Sequence, residues 1–123
     1  MWLRWNENGA VKMVTTEARE TRITREIDSI VRQIVSKYRP KKIILFGSAA
    51  RGDFDKANDL DFLIIKDDVP HYGIDRMREL DEIIERSMAA DMLVYRSGEF
   101  NERVALGDPF IRTILKEGRV LYG

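Results

Sequence analysis

Apolar residues in this chain change period several times, and each change marks a predicted element. Ile43-Ile44-Leu45-Phe46 is a short unbroken apolar run, too brief for an ordinary helix and made of strand formers, so it predicts a buried strand. Asp59 to Ile65 begins with alternation, Asp59-Leu60-Asp61-Phe62, and predicts a second strand from Leu60 to Ile65. Ala90 to Tyr95 predicts a third, opening on Asp91. From Thr16 the period becomes helical: Ile23, Ile27, Ile30, Val31, Ile34, Val35 and Tyr38 form one stripe, and Pro40 ends it. A second helix is predicted from about His71 to Met88, with Ile74, Met77, Leu80, Ile84 and Met88 facing the core. Its acids and arginines are expected to form a mixed, solvated face. Ser97 to Leu106 predicts a short helix, and Asp108-Pro109 a capped helix start before Phe110, Ile111, Ile114 and Leu115. Val120-Leu121-Tyr122 can add an edge strand. Residues 1–14 read as two short strands around an Asn-Gly turn, or as an arm.

Strands alternating with helices imply one sheet covered by helices, and 123 residues suit one domain, residues 1–123. Lys plus Arg and Asp plus Glu both total 21, so net charge is zero and no basic stripe favours direct nucleic-acid binding. With no cysteine, no leader and no long apolar span, a cytoplasmic protein that makes no membrane contact is expected.

Candidate chemistry gathers between Lys42 and Lys66. The first strand stops at Gly47-Ser48, where glycine lets backbone approach a ligand and serine is expected at a helix N-cap. A strand feeding a helix N-terminus is a phosphate-binding geometry. Ten residues later, Asp59 and Asp61 share one strand face while Leu60, Phe62 and Ile64 take the other. Like charges about 4 Å apart repel by about 4 kcal/mol at an effective dielectric near 20, so a cation is expected between them. With no Cys and one His, that cation is a hard, oxygen-bound one, Mg²⁺ or Mn²⁺.

Leu45-Phe46-Gly47-Ser48-Ala49-Ala50-Arg51-Gly52-Asp53 followed by Asn58-Asp59-Leu60-Asp61 resembles the signature of the minimal nucleotidyltransferases (MNT) of the DNA polymerase β-like superfamily. The family usually has serine where this chain has Asn58. The resemblance implies an α/β (α+β) nucleotidyltransferase fold, a small mixed sheet packed against helices. It implies catalytic, metal-holding acids at Asp59, Asp61 and, on the following strand, Asp91. Gly47, Ser48 and Arg51 match positions on the nucleotide's phosphates, with ATP as substrate. It also implies a partner: MNT proteins are commonly paired with HEPN ribonuclease toxins, adding AMP to a toxin tyrosine as antitoxins within a hetero-oligomer. Two other readings stand beside it, a small-molecule nucleotidyltransferase of the aminoglycoside-modifying kind and a non-catalytic binding antitoxin.

Overall fold

The computed structural model describes the backbone of residues 3–5, 11–13 and 16–123, and side chains from residue 18 onward. Strands β1 (Leu3–Trp5) and β2 (Val11–Met13) pair antiparallel, with Trp5 opposite Val11, as the hairpin reading expects. The Asn8-Gly9 turn proposed between them lies outside the described residues.

A four-stranded sheet organises the rest. Its order is β5 (Ala89–Tyr95), β4 (Asp59–Ile65), β3 (Lys42–Phe46), β6 (Arg119–Tyr122). β3 runs antiparallel to β4 and β6, whereas β4 and β5 are parallel. The sheet is therefore mixed, and the suggested edge strand is real.

Helix α1 (Thr16–Gln33) continues through a π-helical turn at Ile34–Tyr38, and Arg39 closes it in the left-handed region, donating its N–H to the Ile34 carbonyl. Pro40 follows that closure. With α3 (Gly73–Ile83), α1 covers one sheet face. Ile23, Ile30, Ile34, Tyr38 and Leu80 pack there against Ile43, Leu45, Leu60, Phe62, Ile64, Met92 and Val94. On the other face Ile44, Leu63 and Ile65 meet Ile111 and Ile114 of α5 (Pro109–Glu117), with Phe100 of α4 (Ser97–Ala105) beside them. α5 starts as its sequence predicts: Asp108 Oδ1 accepts from the N–H groups of Phe110 and Ile111 at 2.9 and 3.4 Å.

Three expectations need correction. α3 ends at Ile83, five residues before Met88, because α1 captures the backbone beyond it. Lys37 donates to the Ile83 carbonyl, Gln33 both donates to and accepts from Glu85, and Glu26 accepts from Ser87. Ile74 is 59 % exposed rather than in the core. Arg76, placed on a solvated face by the sequence, is instead buried. Its guanidinium donates to the carbonyls of Pro70, His71 and Val94 and to both carboxylate oxygens of Glu99.

Candidate active site

Strand register assembles the candidate residues. Phe46 lies opposite Asp61 across the antiparallel ladder, and Asp61 lies opposite Asp91 across the parallel one. Asp59 is two positions before Asp61, so alternation sets all three acids on the face shared with Ile44, Leu63 and Ile65. They sit where β4 and β5 begin and β3 ends, beyond the apolar packing against α5. Asp61 is half-buried, whereas Asp59 and Asp91 are exposed.

Gly47 turns the chain at that end. Its φ is +76°, and a Cβ there would collide with Asp61 Oδ2. Only glycine lets this backbone lie against the carboxylate without strain. The following helix, α2 (Gly47–Ala50), is one turn long. Serine does not cap it, contrary to expectation: the cap position is the extended Phe46, and Ser48 lies inside the turn. The Ser48 hydroxyl instead accepts from Arg51 Nη2 at 3.3 Å. Arg51 Nη1 also reaches Glu117 Oε2 at 3.5 Å, tying the glycine-serine turn to the end of α5.

The loop from α2 to β4 is held by a residue of the first helix. Arg19 of α1 donates to the carbonyls of Phe54 at 2.6 Å and Ala57 at 3.4 Å, fixing the approach to Asp59. Neither Arg19 nor Glu117 carries a local signal, since each acts on a segment far along the chain.

Electrostatically the face is unbalanced. Burial pushes the Asp61 carboxyl above its ordinary value, the charges of Asp91 and Asp59 push it further, and Arg51 pulls it back. The other two acids thus both act on the same half-buried carboxylate. Among the described residues, no group of three or more His, Cys, Asp or Glu side chains is gathered closely enough to hold a metal ion as it stands. The donor set itself is all carboxylate, which suits a hard divalent cation and not zinc. Among the same residues no helix is long and apolar enough to cross a membrane.

The β3 strand thus breaks at a glycine-serine turn beside an acidic face carried by β4 and β5. The nucleotidyltransferase domain family matches residues 25–122, and the chain belongs to that family. A Methanocaldococcus jannaschii protein provisionally named protein adenylyltransferase MJ0604 is 39% identical over 100 residues, 80% of this chain and 96% of that one. A crystal structure from Sulfolobus solfataricus, of a protein provisionally assigned as a nucleotidyltransferase, shares the fold. Its TM-score is 0.61 at 22% identity, over 89% of this chain and 87% of that one. The chain is therefore an enzyme that transfers nucleotidyl groups.

Proposed function

We propose that this nucleotidyltransferase moves AMP from Mg-ATP to a tyrosine hydroxyl of a partner HEPN toxin and so acts as its antitoxin. The observation that carries the reading is the register that sets Asp61 beside Asp91 while the Gly47 backbone lies against the Asp61 carboxylate. The relative named as a protein adenylyltransferase supports a protein acceptor, and the motif resemblance supports the HEPN class.

Asp59, Asp61 and Asp91 would hold magnesium, or manganese in its place, after rotamer changes that draw their oxygens together. A divalent ion bound there offsets phosphate charge and lowers the pKa of an acceptor hydroxyl. The Gly47-Ser48 turn seats the triphosphate, with the Ser48 hydroxyl and Arg51 as donors to its oxygens. The acceptor oxygen attacks the α-phosphorus, the bond to the bridging oxygen breaks, and pyrophosphate leaves. Asp91, exposed at the start of β5, takes the hydroxyl proton.

The deciding experiment incubates the chain with Mg-ATP and the purified product of its neighbouring gene, then weighs that partner intact. An AMP-sized increment, lost in Asp59→Asn with Asp61→Asn, is the expected result. No increment with any divalent metal, or inhibition of the partner that survives both substitutions, would overturn it.

A further inference from the structure

The largest side chain at the start of α5 is left half in solvent beside the acidic face. Ile111 and Ile114 point into the sheet, whereas Phe110, one residue ahead and rotated by about 100° around the helix, is 44 % exposed. Its ring is not loose. It packs edge-on against Phe46, with centroids 5.6 Å apart and an interplanar angle of 86°. Phe46 is the residue opposite Asp61 in the ladder and the one immediately before Gly47. The Phe110 ring therefore stands one side chain away from the carboxylate that the glycine turn touches.

α5 meets the glycine-serine region at two points, Phe110 on Phe46 and Glu117 on Arg51. Near its last turn Glu117 holds Arg51, which also binds the Ser48 hydroxyl. Phe110 sits two turns earlier, a separation of about 10 Å along the axis. That span is of the order of an extended nucleoside triphosphate, phosphates at one end and base at the other.

From this arrangement we infer that Phe110 is the platform on which the nucleobase stacks, with Phe46 fixing its plane. The inference rests on the reading that the Gly47-Ser48 turn takes a nucleoside triphosphate. An aromatic face accepts any base and rewards the larger purine ring, so the platform supplies affinity for ATP without hydrogen-bond discrimination among purines.

Calorimetric titration without an acceptor separates the two ideas, using Mg-ATP and Mg-tripolyphosphate as probes of wild type, Phe110→Ala and Phe110→Trp. Tripolyphosphate has the phosphate chain and no base. Phe110→Ala is expected to weaken ATP roughly tenfold, while leaving tripolyphosphate unchanged. Phe110→Trp should hold ATP at least as well as wild type. Equal weakening of both probes, or of neither, would overturn the platform while leaving the phosphate site standing. Wild type binding neither probe would overturn the nucleotide reading and the platform together.

Discussion

Charge gathers at both ends of strand β5, from Arg76 of α3 at one and Asp91 at the other, and the two ends treat it oppositely. Near its last residues the Arg76 guanidinium finds five acceptors: the Pro70, His71 and Val94 carbonyls and both oxygens of Glu99. Glu99 in turn caps α4 by accepting the Arg96 N–H at 2.7 Å. At the other end Asp91 faces Asp61 and, through it, Asp59, three acids with Arg51 as the cation that acts on Asp61. Burial at the Arg76 end is fully compensated, which is what a scaffold requires. At the acid end charge is left uncompensated on a fixed frame, and such residual frustration marks a place where a ligand completes the balance.

Exchanging charge for its neutral isostere should separate the two ends most sharply in catalysis. Asp59→Asn or Asp61→Asn is expected to lower the transfer rate by roughly 10²- to 10³-fold, the worth of a few kcal/mol of charge stabilisation. Thermal stability should hold or rise, because a repulsive charge has been removed. Initial rates with ATP and acceptor, alongside a melting curve, test both halves. A variant that melts early as well as turning over slowly would mean that the acids are structural.

The mirror experiment is Arg76→Ala. Three carbonyls and a carboxylate lose their donor, and the expected cost is about 3 kcal/mol. The value sits low in the range for broken buried pairs because the Glu99 side chain is 41% exposed and can rehydrate. A drop of about 10 °C in the melting temperature follows, with transfer per folded molecule unchanged at permissive temperature. Loss of activity without loss of stability would erase the distinction between the ends.

Gly47→Ala is intermediate. Alanine in the left-handed region costs about 1–2 kcal/mol, and its Cβ would push the Asp61 carboxylate aside. Roughly tenfold slower transfer with a small fall in melting temperature is expected. A variant with wild-type turnover would show that the close approach of Gly47 to Asp61 has no catalytic weight.

Legibility in the sequence follows the range of each interaction. β3, β4, β5 and the Asp108 cap depend on residues within a few positions, and pattern alone located them. That Asp91 joins Asp59 and Asp61 was an implication of the motif resemblance, and the parallel register of β4 and β5, which sets Asp91 opposite Asp61, is what the fold adds. Arg76 was missed: it lies four residues before Leu80, on the buried side of α3, but its charge reads as solvent-facing like that of the exposed Arg78, and its acceptors lie on three separate segments. The early end of α3 was hidden for the same reason, since Gln33 and Glu26 intercept a segment that helix propensity alone would continue. Phe110 belongs to the apolar series that follows the Asp108 cap and is nevertheless half exposed, because helical phase does not say where the sheet beneath the helix stops.

The smallest effect, and the one that compares the two ends directly, is on stability against pH in metal-free protein. Glu99 has its folded pKa lowered, chiefly by the Arg76 hydrogen bonds, so between that value and 4.5 the unfolded chain binds more protons. Stability from Glu99 is therefore complete above 4.5 and is lost as pH falls through the folded value. Asp61 has its folded pKa raised above 3.8, chiefly by burial and then by Asp91 and Asp59, so the folded state binds more protons there. Its contribution has the opposite sign: ionisation destabilises the fold as pH rises from 3.8 through the folded value. Denaturant midpoints across the acid range should lose their upward slope in Glu99→Gln and steepen upward in Asp61→Asn. Adding magnesium to wild type should imitate the second change, because a bound cation favours the ionised carboxylate and removes the penalty. If Asp61→Asn leaves the profile unaltered, the three acids do not share their charge, and the contrast between the two ends of β5 fails at its root.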